Sequence, residues 1–395
     1  MHIGIVSIIS TDYLSSYLRL SGNEPKGAGP NGATAPTLLV DELLKRGYKV
    51  SVFSLTTELE LNETYTVEGD QLTIYYGAAR KRVKHQILDF YKLERKFLCN
   101  KILEIKPSVL HAHWQYEHSL GALDSKIPLL ITCRDSPLHV LRYLPNSYRF
   151  LRLCIALYVI NRARHLSATS NYLARNIKLL SFNKAIKIIS NFEPEWIFSL
   201  YKNKRVYNPV PKIVMINHYF QRRKNVEVGI QAFQIIRKQF PTATLHLYGI
   251  GFGIDGPAHH WALAQHLEEN IEFNGVIDFK ELMNALSSYN ILVHTAREET
   301  FGNILAEAMA QGIPVVGGNK SGAVPEVVGT NGKAGFLVDI TSSEKVAEAV
   351  LKILSTEKMY NQFSRNARDE ALRKFKAEDT VAAYEKIYVN LLNEI

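Results

Sequence analysis

The stretch ILVHTAREETFGNILAEAMAQGIPVV, residues 291–316, shows the clearest change of structural pattern along this 395-residue chain. Residues 291–295 have the composition of a short buried strand, and a second apolar strand begins at Val315. The residues between them predict a helix that starts near Gly302 and runs to Gln311, with Gly312 as the residue that closes it. This order of strand, loop, helix and strand is typical of a parallel sheet covered by helices.

The same alternation of short apolar runs and amphipathic stretches continues on both sides of this unit. Further strands are predicted at residues 3–9, 49–55, 109–112, 129–133, 213–216, 244–248 and 271–273. Further helices are predicted at residues 34–46, 84–105, 225–239 and 279–287. The pattern predicts an α/β chain with two Rossmann-like, doubly wound domains in tandem, facing each other across a cleft.

A polar, proline-punctuated segment, residues 201–211, separates the two predicted sheets and has the composition of a linker. We therefore expect an N-terminal domain over residues 1–205 and a C-terminal domain over residues 206–380. We expect residues 381–395 to form a C-terminal helix that packs back on the N-terminal domain. Since ligands of such sheets bind at the carboxyl ends of the strands, we expect the chemistry to take place there.

The net charge of +9 lies almost entirely in residues 1–200, where cations are interleaved with aromatic and aliphatic residues. The densest clusters of cations lie in residues 80–96 and 142–164. Such a surface suits an anionic membrane or an anionic acceptor, and the alternative is a set of solvated helix faces. No nucleic-acid recognition motif accompanies the charge, so nucleic acid is not expected as a partner.

Cysteine usage and hydropathy limit the compartment in which the chain is expected to work. Cys99, Cys133 and Cys154 have no paired or metal-binding spacing, which favours a reducing compartment. The first residues show no secretion signal, and the longest apolar run, residues 150–160, is shorter than the about 20 residues that span a bilayer. We therefore expect a cytoplasmic protein, with peripheral contact to the inner face of the membrane.

Two glutamates flank the start of the predicted helix: Glu299 lies in the loop just before it, and Glu307 lies on the helix eight residues later. Gly302 lets the backbone approach a ligand closely, and the free N–H groups of the first helical turn favour a diphosphate. On a helix the glutamates would be about 12 Å apart, which is too far for the paired carboxylates of a glycosidase. They suit the hydroxyl groups of one extended ligand, although such a pair also occurs on plain solvated helix faces.

This loop and helix resemble the nucleotide-binding segment of glycosyltransferase family 4, through Glu299, Phe301, Gly302 and residues 307–316. The resemblance covers almost the whole chain and includes residues 46–50, 111–113, 321–328 and 335–338. It implies the GT-B architecture and a metal-independent, retaining enzyme. Such an enzyme would transfer a hexose-type sugar from a UDP- or GDP-linked donor to a glycan or lipid-linked acceptor in cell-surface polysaccharide synthesis.

The resemblance also implies roles for individual residues. Glu299 would contact hydroxyls of the donor sugar, Glu307 would hold the ribose, and Lys224 would stabilise the departing diphosphate. The residues expected to act in catalysis are Glu299, Lys224, Arg134 and His218. The residues expected to bind the donor are Phe301, Gly302, Asn303, Glu307, Arg223, Gly249, Val276 and Gly29. The N-terminal domain would bind the acceptor, and the residues expected in the acceptor cleft are His113, Asp135 and Gly32.

Two positions depart from the family pattern. The family has an arginine six residues before the lysine, where this chain has His218, so Arg222, Arg223 or a partly protonated His218 would supply the missing charge. Arg134 stands where the family has a histidine near the reacting sugar, and arginine does not exchange protons at neutral pH. These departures leave open a nucleotide-binding protein with impaired catalysis, and the other alternative is a GT-B sugar-nucleotide epimerase.

Residues 111–118 contain four side chains of types that can bind a metal ion, His111, His113, Glu117 and His118. No further ligand cluster accompanies them, and the sequence has no Asp-x-Asp of the kind that clamps a metal ion and a diphosphate in the GT-A architecture. We expect these histidines to form local hydrogen bonds or to line the acceptor cleft. We therefore expect no metal site and no cofactor beyond the nucleotide sugar itself.

Overall fold

The computed structural model describes residues 1–27, 33–81, 83–201, 207–208 and 210–394. The chain forms two compact units. The first unit contains Met1–Ser190 and Glu378–Ile395, and the second contains Asn191–Ala377. Each unit is a Rossmann-like α/β sheet with its helices, as the alternating sequence pattern predicts.

The first unit is built on an eight-stranded sheet. Its strands are β1 (His2–Val6), β2 (Lys49–Thr56), β3 (Thr64–Glu68), β4 (Leu72–Ala78), β5 (Val109–His113), β6 (Leu129–Cys133), β7 (His165–Ala168) and β8 (Ile186–Ile188). They are arranged in the order β3-β4-β2-β1-β5-β6-β7-β8, and β3 runs antiparallel to its neighbour β4. The strand order reverses between β1 and β5, so the switch point of this sheet lies at their carboxyl ends.

Helices connect these strands and bury their apolar sides in a core that contains Leu98, Leu120, Val159 and Ile177. They are α1 (Thr34–Lys45), α2 (Val83–Leu88), α3 (Lys92–Ile105), α4 (Glu117–Asp124), α5 (Pro137–Tyr143), α6 (Ser147–Arg162) and α7 (Asn171–Leu180). The single helix predicted over residues 84–105 is wrong, because Phe90 and Tyr91 adopt left-handed φ values of 55° and 57° and separate α2 from α3.

The second unit is built on a six-stranded parallel sheet. Its strands are β9 (Lys212–Ile216), β10 (Thr244–Tyr248), β11 (Ile271–Gly275), β12 (Ile291–His294), β13 (Val315–Gly318) and β14 (Gly335–Val338). They are arranged in the order β11-β10-β9-β12-β13-β14. The order reverses between β9 and β12, so the loops that follow these two strands mark the switch point where ligands of such sheets bind.

The remaining helices follow in the second unit, apart from the last one, which returns to the first unit. They are α8 (Glu195–Ser199), α9 (Val226–Gln239), α10 (Pro257–Ala264), α11 (Phe279–Leu286), α12 (Asn303–Ala310), α13 (Val324–Val328), α14 (Ser343–Ile353), α15 (Glu357–Lys374) and α16 (Ala377–Asn393). Across the described ranges, no helix combines the length and apolar character needed to cross a membrane.

The two units divide before the predicted boundary at residue 205. Helix α8 buries Ile197 and Phe198, and Arg368 Nη1 donates a hydrogen bond to the Phe198 carbonyl oxygen at 2.7 Å. These contacts hold the segment in the second unit, whereas its composition gave no sign of the change. Residues 202–206 and 209, which belong to the predicted linker, lie outside the described residues.

Helix α16 belongs to the first unit, which is the side on which the C-terminal helix was expected to pack. Tyr388 Oη lies 2.7 Å from His111 Nδ1, and Arg46 Nη1 pairs with Glu385 Oε2 at 2.9 Å. Tyr388 is fully buried. The end of the chain is therefore part of the first unit's core.

Candidate active site

The second unit brings a lysine and a glutamate together at the switch point of its sheet. Lys224 lies in the loop between β9 and α9, and Glu299 lies in the loop between β12 and α12. Because β9 and β12 are neighbours, the two loops leave the sheet side by side, and Lys224 Nζ lies 2.5 Å from Glu299 Oε1. The side chains are 12% and 16% exposed, so the ion pair is largely shielded from water and salt.

A buried histidine that the sequence analysis missed completes this group. His294 is the last residue of β12, and its Nε2 lies 3.3 Å from the same Oε1 of Glu299. Burial by itself raises the pKa of Glu299, but Lys224 and then His294 outweigh burial and hold that pKa well below its usual value. Glu299 is therefore ionised at neutral pH. The residues next to His294 do not indicate a role in the site, because its partner Glu299 comes from the following loop.

The residues that follow β9 lie at the same switch point. Burial lowers the pKa of His218, and the charge of Lys224 lowers it further, while Glu299 opposes the shift. This shift favours the neutral ring at pH 7 in the free protein, against the expected partial protonation of His218. Asn217 is buried, and neither polar atom of its side chain has a hydrogen-bond partner among the residues that the structure describes.

Arg223 does not supply a free cation in place of the missing arginine. Its Nη1 lies 3.3 Å from Glu298 Oε2, and Glu298 is almost fully buried. The backbone carbonyl oxygen of Arg223 also accepts a hydrogen bond from the Arg297 N–H at 2.8 Å. Arg223 thus ties the loop after β9 to the loop after β12, next to Lys224.

Gly249 and Val276 lie at the carboxyl ends of the neighbouring strands. Gly249 follows β10 with a φ of +115°, and a Cβ atom there would lie 1.8 Å from the carbonyl oxygen of Asn217. Only glycine permits this close approach of the two loops. Val276 follows the edge strand β11 and is exposed.

The start of α12 has no side-chain cap and lies next to a buried aromatic ring. Gly302 has a φ of +90° and precedes the first helical residue, and the helix start has no side-chain cap. Phe301 is 5% exposed and packs its ring edge-on against Phe375 at 5.6 Å. The ring of Phe301 therefore belongs to the core, and only its backbone can meet a ligand. Asn303 Oδ1 accepts a hydrogen bond from Asn191 Nδ2 at 2.7 Å.

Two carboxyl groups are buried beside each other near α12. Glu307 is 6% exposed and Glu193 is 2% exposed, and Glu193 Oε2 has no hydrogen-bond partner in the described part of the chain. Burial raises the pKa of Glu307 to about 8. Burial, and then the charge of Glu307, raises the pKa of Glu193 well above its usual value. At pH 7 the pair therefore does not carry two negative charges. The sequence around Glu193 gives no sign of this pairing, because its partner lies on a helix more than 100 residues away.

The first unit joins Arg134 to His113. Arg134 donates from Nε and Nη2 to His113 Nδ1 at 3.0 and 2.8 Å, and its guanidinium lies 5.9 Å from the ring centre of Trp114. The pKa of His113 lies well below its usual value, mainly because the ring is buried and then because of the neighbouring His111, Arg134 and His118. His113 is therefore neutral. Since Nδ1 accepts a hydrogen bond, the proton is on Nε2, which has no partner within the described residues.

Asp135 is held next to this pair. Tyr116 Oη donates to Asp135 Oδ1 at 2.9 Å, and Gln115 Nε2 donates to the same oxygen at 2.6 Å. The carboxylate is therefore ordered by two partners from the loop after β5 and the start of α4. Gly29 and Gly32, which were also expected at the donor and acceptor, lie outside the described residues.

His111 has a structural role in the first unit. Its Nδ1 lies 2.7 Å from Tyr388 Oη and its Nε2 lies 2.7 Å from Thr132 Oγ1, so both ring nitrogens have partners. Arg152 Nη1 lies 3.4 Å from Glu117 Oε2. Over the ranges that the structure describes, no group of three or more His, Cys, Asp and Glu side chains could hold a metal ion.

Two family models match the chain, and each falls almost entirely within one unit. The model for Glycosyltransferase Family 4 matches residues 35–192. The model for Glycosyl transferases group 1 matches residues 199–370. The second match includes the loops that carry Lys224 and Glu299.

Similar proteins match the chain over different lengths. The N-acetyl-alpha-D-glucosaminyl L-malate synthase of Bacillus anthracis is 25% identical over 378 residues, which are 91% of this chain and 93% of that protein. The capsular polysaccharide biosynthesis glycosyltransferase CapM of Staphylococcus aureus is 30% identical over 122 residues, which are 30% of this chain and 32% of that protein.

Solved structures share the fold at low sequence identity. Sucrose-phosphate synthase from Thermosynechococcus elongatus superposes with a TM-score of 0.78 at 18% identity, and the superposition covers 100% of both chains. Anabaena HepE in complex with UDP superposes with a TM-score of 0.69 at 17% identity, over 99% of this chain and 100% of that chain. With both family models matched and two Rossmann-like sheets in place, this chain belongs to glycosyltransferase family 4 and is a glycosyltransferase with the GT-B fold.

Proposed function

We propose that this glycosyltransferase is a retaining, metal-independent enzyme that transfers a hexose-type sugar from a UDP- or GDP-linked donor to a glycan or lipid-linked acceptor. The observation that carries the proposal is the shielded ion pair between Lys224 and Glu299 at the switch point of the second sheet. It supports donor binding because a lysine for a diphosphate and an ionised carboxylate for sugar hydroxyls stand next to the uncapped start of α12.

In this proposal, Lys224 exchanges Glu299 for the donor diphosphate and balances the negative charge that grows as the glycosidic bond breaks. The free N–H groups at the start of α12 share that role. Glu299, which stays ionised, accepts hydrogen bonds from the sugar hydroxyls, and Glu307 accepts them from the ribose. The acceptor oxygen bonds to the anomeric carbon from the face that the nucleotide leaves, as the bond to the diphosphate breaks and the hydroxyl proton passes to the departing diphosphate. Attack from this face retains the anomeric configuration.

The relatives favour a donor linked to UDP and a role at the cell surface. HepE was solved with UDP and also with UDP and glucose, and CapM is named for capsular polysaccharide biosynthesis. The relative from Bacillus anthracis is named for the transfer of N-acetylglucosamine to malate, so a small hydroxy acid is a second acceptor class to test. We also propose that the enzyme works in the cytoplasm and contacts an anionic membrane peripherally.

The proposal can be tested by incubating the chain with UDP- and GDP-hexoses and each acceptor class. We expect acceptor-dependent release of the nucleoside diphosphate and a product with the anomeric configuration of the donor, as read by NMR. UDP binding without release in any mixture would instead support a protein with impaired catalysis. An isomerised nucleotide sugar that forms without any acceptor would support an epimerase.

A further inference from the structure

A set of large apolar side chains is exposed on the helical side of the first unit that contains α6. Phe182 is 87% exposed and Leu179 is 77% exposed, although apolar side chains of this size are usually buried. We call this set the α6 surface, and its members are Leu88, Phe90, Phe150, Tyr158, Leu179 and Phe182.

Contacts show that the elements carrying the α6 surface adjoin one another. The ring of Phe90, between α2 and α3, meets the ring of Tyr158 on α6 edge-on at 6.0 Å. The turn that carries Leu179 and Phe182 is tied to the end of α6, because Asn161 Nδ2 donates to the Leu180 carbonyl oxygen at 2.9 Å. The exposed apolar side chains therefore lie on neighbouring elements, from α2 across α6 to the end of α7.

Unpaired cations lie among these apolar side chains. Lys92, Arg162 and Lys178 have no carboxylate within ion-pair distance in the described part of the chain, and the Arg162 guanidinium lies 5.3 Å from the ring centre of Tyr158. The carboxylate nearest in the chain to Phe90 is that of Asp89, and it is already paired with Arg80 at 2.7 Å. The area therefore combines exposed apolar side chains with an excess of positive charge.

We propose that the α6 surface docks peripherally on an anionic lipid bilayer. Its aromatic and aliphatic side chains would enter the boundary between head groups and acyl chains, while Lys92, Arg162 and Lys178 would face lipid phosphates. A second copy of this chain is a poorer occupant, because its matching face would bring the same unpaired cations together. The inference rests on the proposed membrane contact and does not depend on the donor chemistry.

Co-sedimentation of the full chain with vesicles tests this inference. We expect binding to mixed phosphatidylglycerol and phosphatidylcholine vesicles, weak binding to pure phosphatidylcholine, and a loss of binding as salt rises. The double variant Leu179→Ser, Phe182→Asn removes the most exposed apolar pair, with asparagine chosen because residue 182 has a left-handed φ of 47°. We expect it, and the reversal variant K92E/R162E/K178E, to weaken binding by about tenfold or more.

Two control variants show whether a loss of vesicle binding is specific to the α6 surface. Leu61→Ser changes an exposed leucine elsewhere in the first unit, and Lys238→Glu reverses a charge on α9, so neither should alter vesicle binding. The melting temperature should be equal in all variants, which shows that they are folded. Absent binding to anionic vesicles, or variants that bind like the wild type, would overturn the inference.

The same experiment distinguishes this inference from the proposed function. A chain that binds anionic vesicles through the α6 surface but transfers no sugar would uphold the inference and remove only the proposed transfer. If the variants instead dissolve a dimer seen by size exclusion while vesicle binding is absent, the α6 surface is an interface between copies and the inference fails.

Discussion

Lys224 Nζ and Glu299 Oε1 lie 2.5 Å apart, although the two residues are separated by 75 positions in the chain. Both side chains are largely buried at the carboxyl ends of the adjacent strands β9 and β12. The carboxylate thus holds the lysine at the switch point of the sheet. Under the proposed function, a diphosphate would take the place of the carboxylate, and the lysine charge would be in position before the donor binds.

Lys224→Met should lower kcat/KM for sugar transfer by about 10²-fold to 10³-fold, because the charge that stabilises the leaving diphosphate is lost. It should also lower the melting temperature, since it leaves the ionised Glu299 largely buried without its main partner. Lys212→Met is the matched control, because Lys212 is an exposed lysine at the opposite end of β9. Equal kcat/KM values for Lys224→Met and Lys212→Met would exclude the assigned role.

Glu307→Ala should weaken UDP binding by about fivefold to a hundredfold, because a ribose hydroxyl left without its hydrogen-bond partner costs about 1–3 kcal/mol. Isothermal titration calorimetry with UDP measures this change, and the comparison variant is Glu281→Gln on the exposed side of α11. An unchanged affinity in Glu307→Ala would place the ribose elsewhere.

The free energy of unfolding should fall as the pH rises from about 4.5 to about 8. Burial raises the pKa of Glu307 from 4.5 to about 8 in the folded protein and also raises that of Glu193, so the folded state binds more protons than the unfolded chain in this range. The stability that these protons confer is complete below the unfolded pKa and is lost as the pH passes the folded pKa. Denaturant unfolding across this pH range should show a flatter slope in the double variant E193Q/E307Q than in Glu281→Gln. Identical slopes would mean that the pair does not titrate as described.

His294→Asn should shift the acid limb of the kcat/KM profile to higher pH. His294 helps Lys224 to hold the pKa of Glu299 well below its usual value, so removing the ring moves that pKa back up. Glu299 then loses its charge, and the stability that its charge confers, at a higher pH as the solution is acidified. His246→Asn, at a buried histidine in β10, is the control. Superimposable profiles for the wild type and His294→Asn would contradict this role of His294.

The sequence by itself determined the α/β pattern, the two sheets and the donor-site candidates Glu299, Gly302 and Glu307. These follow from local physics, since apolar periodicity, a glycine with a positive φ and a helix start are all encoded within a few residues. The family to which the chain belongs was recognisable for the same reason, because its motif lies in one continuous segment.

Only the tertiary structure decided which of these groups meet. The order β9-β12 brings Lys224 and His294 to Glu299, and the course of the chain before α8 brings Glu193 to the neighbourhood of Glu307. It also decided that the pKa of His218 is lowered and that Arg223 is paired with Glu298. Charge states and ion pairs depend on burial and on partners that are distant in the chain, and neither can be read from the residues on either side.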